Sequence, residues 1–148
     1  MSSPDLLDRA IAIAVKAHSG QKDRNGAPYI LHPLRVMNRV DTDLEKIIAV
    51  LHDVVEDTGW SLETLRAEGF PHEVITAVDC LTKRKSETYE ALIMRAADNR
   101  LALKVKVADL EDNMDVRRTR AITSEFAQRL DRYSRAWHEL KRKLEAIG

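Results

Sequence analysis

Residues 72–147, HEVITAVDCLTKRKSETYEALIMRAADNRLALKVKVADLEDNMDVRRTRAITSEFAQRLDRYSRAWHELKRKLEAI, contain neither proline nor glycine. Half of the chain therefore lacks the residues that punctuate strands and tight turns. Within it, apolar residues recur at spacings of three and four, and no run sustains period-2 alternation with β-branched enrichment. The pattern predicts helices over about 71–81, 88–97 and 99–114. A long final helix starts near Thr123 and carries Phe126, Leu130, Tyr133, Trp137, Leu140 and Leu144 on one face, a stripe suited to closing a bundle.

Working back towards the N-terminus, the same logic holds with more punctuation. A first helix begins after Ser3, with Pro4 in its first turn, and runs to about His18 before Gly20. Its expected buried side is Leu6, Leu7, Ala10, Ile11, Ala14 and Val15. Residues 21–30 hold Asn25-Gly26 and Pro28 and read as an ordered loop that delivers His32. A short helix then reaches Val40. Asp41 or Asp43 is expected to cap a third helix that packs Leu44, Ile47, Ile48, Leu51 and Val55 inward until Gly59 stops it, and Ser61 a small helix to about Glu68. The expectation is an all-α fold, a single-domain helical bundle over residues 1–148.

Composition narrows the function classes. The 148 residues suit one domain, and 44% hydrophobic with 32% charged residues is a globular balance. With 24 Lys+Arg against 24 Asp+Glu the formal net charge is zero, which argues against broad electrostatic binding to nucleic acid or an anionic membrane. The last helix does present Arg129, Arg132, Arg135, Lys141, Arg142 and Lys143, but without the aromatic interleaving that stacks bases. Cys80 alone forms neither an intramolecular disulfide nor a multi-cysteine zinc site. The longest apolar runs, 10–15 and 47–51, fall far short of the roughly 20 residues of a membrane span. The N-terminal stretch from Met1 to Asp5 lacks a basic start and apolar segment, so the cytoplasm is the default location. A homo-oligomer is left open.

Three separated stretches carry metal-ligand types: YILHP at 29–33, LHDVVEDT at 51–58 and VADLEDN at 107–113. Adjacent His52 and Asp53 point about 100° apart on a helix, so a ring nitrogen and a carboxylate can approach one ion from two sides. His32 and Asp109 can complete the set. Two neutral imidazoles and two carboxylates balance a divalent charge and leave positions for water; such ligation favours Mn²⁺, Mg²⁺ or Fe²⁺ over zinc without excluding it. The competing reading is an ordinary hydrogen-bonded set of core histidines. Glu56 and Asp57, one turn beyond His52 and Asp53, fall on the same side, where a carboxylate can orient water or exchange a proton with it.

These stretches resemble the HD-type metal-dependent phosphohydrolases, and in particular the hydrolase domain of the RelA/SpoT proteins and the small alarmone hydrolases. Residues 17–22 leading into 26–34 are similar to the family's first block, 52–58 to its second, and 105–109 with Asn113 to its third. The resemblance implies one Mn²⁺ held by His32, His52, Asp53 and Asp109, with Glu56 and Asp57 handling the attacking water. It also implies a nucleotide substrate, guanosine tetra- or pentaphosphate, cut to pyrophosphate and GDP or GTP. Lys22 and Asn113 align with substrate-pocket residues, and Tyr133 falls where the small hydrolases place a pocket tyrosine.

The chain departs from that pattern in two places. Gln21 stands where many members carry a base-stacking arginine, for which Arg24 in the same loop is the substitute at hand. Asp115 stands where many carry another arginine. Lys106, one turn before Asp109, is the expected further cation for a polyphosphate, whereas Lys83-Arg84-Lys85 reads as a solvated helix end. The chain stops where larger RelA/SpoT enzymes continue into a synthetase domain, so pyrophosphokinase activity is not expected. Two alternatives to the alarmone reaction stand beside it: a phosphatase on another nucleotide such as NADPH, and a sensor that binds nucleotide without turnover.

Overall fold

In the computed structural model, which describes residues 2–148, nine α-helices and one 3-10 turn follow in order: α1 Ser3–Ala17, α2 Leu31–Asn38, α3 Asp43–Leu51, α4 Val54–Asp57, α5 Leu62–Ala67, α6 His72–Leu81, α7 Tyr89–Ala97, α8 Arg100–Asn113, the 3-10 turn Val116–Arg118 and α9 Ser124–Ile147. No strand occurs among the described residues; the nearest approach is an isolated antiparallel bridge between Lys22 and Pro28 that closes the 21–30 loop. Met1, the first residue of the N-terminal stretch read above, lies outside the described residues.

Local chemistry sets most boundaries. Ser2 caps α1 one residue earlier than expected, its hydroxyl accepting from the Asp5 N–H while Asp5 reaches back. Thr42, rather than Asp41 or Asp43, caps α3 in the same reciprocal way with Glu45. Ser61, Thr88, Asn99 and Thr123 cap α5, α7, α8 and α9. On α1 the buried set is Leu6, Ala10, Ile13 and Ala14, with Leu7 and Ile11 half-buried; Val15, expected inside, is exposed because the apolar face turns towards Ile13 instead.

The main core is built on α3, whose Ile47, Ile48, Val50 and Leu51 are buried between α1, α2, α6 and α8. Burying each such side chain contributes about 1.5–3 kcal/mol. A second cluster joins α7, α8 and α9 through Ile93, Leu103, Val107, Leu110, Ala136 and Leu140, with Tyr133, Trp137 and Leu144 packed at its edge. The predicted α9 stripe is thus the seam of the second cluster, although Phe126 and Leu130 at its start are only half-buried. Lying between both clusters, α8 is buried on most sides and can carry polar groups into the centre.

The structure changes two expectations about where the site is mounted. The third helix does not run to Gly59: the His52 N–H bonds the Ala49 carbonyl at 3.4 Å, an i to i−3 turn, and the helix restarts as α4 at Val54. His52 and Asp53 therefore sit at a tightened break rather than within a regular helix. His32 lies in the first turn of α2, not in the loop, because the N–H groups of Leu31 and His32 already bond back to Pro28 and Tyr29.

Candidate active site

Four side chains expected to share an ion converge at that break. His32 Nε2 lies 2.9 Å from Asp109 Oδ1 and 3.8 Å from Asp53 Oδ2. His52 Nε2 lies 3.1 Å from Asp53 Oδ2 and 3.5 Å from Asp109 Oδ1. Ligand atoms of His32, His52 and Asp109 all fall within 4.8 Å of one another. His32, His52 and Asp109 are buried. Asp53 hangs from the break itself, where the Tyr29 hydroxyl donates to its Oδ2 at 2.5 Å.

The far side of each ring decides what the near side can do. His32 Nδ1 is 2.6 Å from Asp112 Oδ2, and His52 Nδ1 is 2.5 Å from the Ala49 carbonyl. Both acceptors assign the ring hydrogen to Nδ1, which leaves a lone pair on each Nε2. Those lone pairs face carboxylate oxygens, acceptor against acceptor. His52 Nε2 is buried without any hydrogen-bond partner. Two imidazole lone pairs and two carboxylates, all but Asp53 buried, fit a divalent cation, which would satisfy all four at once.

Without a cation the same carboxylates draw a proton onto the ring: burial disfavours the charged form, yet Asp53 and Asp109 outweigh it and raise His52 well above its ordinary value, so a cation and that proton compete for one nitrogen. Burial likewise works against the charged Asp109, but Lys106 and the two rings hold it well below the usual carboxylate range; Asp53 ends at about 2, mainly through His52. Asp57, facing Asp53 and Glu56, is pushed the other way, to about 6, first by burial and then by those two charges.

His32, Asp53 and Asp109 line a cleft of about 670 Å³ together with Lys22, Arg24, Glu56, Asp57, Lys106, Asn113 and Tyr133, and His52 is buried against Asp53 and Asp109, so the residues expected at the site lie together. Two of them are placed differently from expectation. Lys106 Nζ donates to Asp109 Oδ2 at 2.8 Å and Asn113 Nδ2 to Asp109 Oδ1 at 3.2 Å, so both polar heads hold Asp109 rather than reach into open cleft. Their spacing of three and four from Asp109 on α8 dictates this. Gln21 lines the cleft with its oxygen 2.8 Å from His18 Nδ1, and Asp115 is paired with Arg117 and Arg118.

Several site groups were not singled out from sequence. Asp112 is fully buried and takes His32, Arg35 Nε at 2.7 Å and Arg118 together; its spacing of three from Asp109 was the available signal. Tyr29 sits in a quoted block without a role. Lys83, read as part of a solvated helix end, is exposed but lines the cleft. Arg129, half-buried, and Arg132, still exposed, line the cleft as well, while Arg135, Arg142 and Lys143 pair with Asp131, Glu139 and Asp98.

The all-helical bundle, with its His and Asp side chains gathered at a helix break, matches the helical hydrolase domain of a SpoT orthologue. The homologues of this chain are RelA/SpoT-family pyrophosphokinases and ppGpp hydrolases. It is 38% identical over 122 residues to a probable GTP pyrophosphokinase of Mycobacterium leprae, and 34% identical over 120 residues to a guanosine-3′,5′-bis(diphosphate) 3′-pyrophosphohydrolase of Aquifex aeolicus. These alignments take in 74% and 73% of the chain but 15% and 17% of the relatives, so the chain spans about one sixth of the curated proteins it matches. No protein-family model matches it. Among solved structures, a metazoan orthologue of SpoT described as hydrolysing ppGpp superposes with a TM-score of 0.75 at 25% identity, over 96% of this chain and 93% of the other. No described helix is long and apolar enough to cross a membrane.

Proposed function

We propose that the 148 residues form one metal-dependent phosphohydrolase domain that removes the 3′-pyrophosphate of guanosine 3′,5′-bispyrophosphate. The carrying observation is His52 Nε2, a buried lone pair without a protein partner, facing Asp53, Asp109 and the matching nitrogen of His32. Homologues named as ppGpp hydrolases, and the fold shared with a ppGpp-hydrolysing protein, support the same reading. His32, His52, Asp53 and Asp109 would hold one divalent cation, with Mn²⁺ the first to test. When bound there, a cation supplies Lewis acidity at the phosphoryl oxygens and a more acidic water.

The chain's own groups supply the rest. Asp57, with its carboxyl at about 6, is matched to take a proton from water near neutral pH. Glu56 has one oxygen held by the Lys83 N–H and offers the other to orient that water. Oxygen of the water bonds to the phosphorus next to the ribose 3′ oxygen, the bond between them breaks, and the ribose oxygen takes up a proton, giving pyrophosphate and GDP. Lys22, Arg24 and Tyr133 bind the nucleotide from the cleft walls, where the two cations lower the cost of gathering four phosphates, while Lys106 and Asn113 hold Asp109 in place. A cytoplasmic setting in the stringent response belongs to this reading.

The test is a nucleotide panel incubated with Mn²⁺, with phosphate and pyrophosphate both quantified. Pyrophosphate from the guanosine alarmone, lost in Asp53→Ala, is the expected result. Orthophosphate from NADPH with no alarmone turnover would replace the substrate, and nucleotide binding without any product would leave a sensor.

A further inference from the structure

Glu56 is an exposed carboxylate on the four-residue helix α4, so its own element does little to select a side-chain position. A partner 27 residues away does. The backbone N–H of Lys83, in the loop between α6 and α7, donates to Glu56 Oε1 at 2.6 Å. An N–H bonded to a carboxylate is a strong, directional restraint, but only if the donor is itself held still.

One guanidinium holds it. From the last turn of α7, Arg95 donates to both Glu87 oxygens at 2.8 Å, to the Asp79 carbonyl at 2.7 Å and to the Thr82 carbonyl at 2.7 Å. Glu87 Oε1 also accepts from the Arg84 N–H at 3.0 Å. The end of α6, the residue before Lys83 and the far end of the loop therefore all terminate on Arg95. Ser86, inside this loop, has φ of 71°, the only positive value for a non-glycine among the described residues. Such a conformation is strained for a residue with a side chain and persists where surrounding bonds over-determine it. Its Glu87 partner stays ionised through neutral pH, since the Arg95 hydrogen bonds hold that carboxyl at about 2. The planar fork makes four bonds in fixed directions, which a lysine ammonium does not reproduce.

We propose that Arg95 is a positioning residue for Glu56, acting through Glu87 and the Lys83 N–H to hold one Glu56 oxygen so that the other faces the reacting water. The inference rests on the phosphohydrolase reading above. It assigns Arg95, which does not line the cleft, a role in turnover and none in substrate or metal affinity.

The experiment compares the full chain with Arg95→Gln, Glu56→Gln and the double variant, in steady-state kinetics with Mn²⁺ and by amide hydrogen exchange at Lys83. Arg95→Gln should lower kcat by about tenfold to a hundredfold with KM within about twofold, the signature of a misplaced group. Lys83 exchange should quicken, and the double variant should be no slower than Glu56→Gln alone. Additive losses, a KM effect without a kcat effect, or unchanged Lys83 exchange would each overturn the proposal. Should Arg95→Gln fail to fold, Glu87→Gln, which keeps size and removes the ion pair, takes its place with the same expectations. Absence of turnover in the unmodified protein counts against the phosphohydrolase reading instead, and Lys83 exchange in the Arg95 variant then decides the positioning: faster supports it, unchanged ends it.

Discussion

Asp112 Oδ2 lies 2.6 Å from His32 Nδ1, on the side of the ring away from the cluster. The contact fixes where the ring hydrogen sits and turns the opposite nitrogen inward, so a residue that touches neither cleft nor cation sets the quality of the site. Asp112→Asn should lower Mn²⁺ affinity by about 10- to 100-fold, read by calorimetric titration. An unchanged affinity would show that His32 needs no such support.

The same carboxylate makes stability depend on acid. Burial opposes its charge, but hydrogen bonds from His32 and Arg35 outweigh burial and hold it at about 2, below the ordinary 3.8. A depressed folded-state value means stability that is complete above the unfolded value and lost as pH falls through the folded one. The contribution is about 2 kcal/mol above roughly pH 5 and vanishes near pH 2. Urea midpoints of the wild type and Asp112→Asn should therefore converge as the pH is lowered over that window.

Cation binding to the folded chain should show as thermal stabilisation. At about one hundred times the dissociation constant, Mn²⁺ adds about 2.7 kcal/mol by mass action, a rise of about 5–10 °C in Tm, reversed by a chelator. In Asp109→Asn the shift should disappear. A wild-type Tm indifferent to every divalent ion tested would contradict the four-ligand site.

Glu56→Gln keeps size while removing charge, and Glu56 lies outside the His–Asp cluster. Metal affinity should be retained while kcat drops by about 10²-fold, the usual cost of misplacing a reacting group. Full turnover in this variant would remove Glu56 from the reaction.

Leu140, fully buried, fastens α9 to α8 in the second apolar cluster. Leu140→Ala should cost about 2–5 kcal/mol in chemical denaturation, through lost burial and the cavity left behind. A loss below 1 kcal/mol would indicate that α9 is not docked as described.

Much of the molecule is written in short-range chemistry. Spacings of three and four defined the helices, and Ser61, Thr88, Asn99 and Thr123 announced their starts, because capping and amphipathic burial depend on neighbours within a turn. The three blocks that carry His32, His52, Asp53 and Asp109 were legible for a related reason: few residue types can serve as ligands, and adjacency on one helix turn is a local property. Val15 lies outside the core because a face about 100° wide has an edge that local pattern does not locate.

What tertiary structure alone decided is everything that depends on distance across the bundle. Only folding puts Asp112 behind His32, Lys83 against Glu56 and Arg95 beneath the loop between α6 and α7, and only folding turns Lys106 and Asn113 back onto Asp109. The break at His52 and Asp53 belongs here too, since a helical pattern continues through it in sequence while the packed structure tightens the turn. The sequence determined which side chains are chemically able to act. Which of them meet is set by how two apolar clusters clamp α8 between them, a balance of long-range burial that no window of neighbouring residues contains.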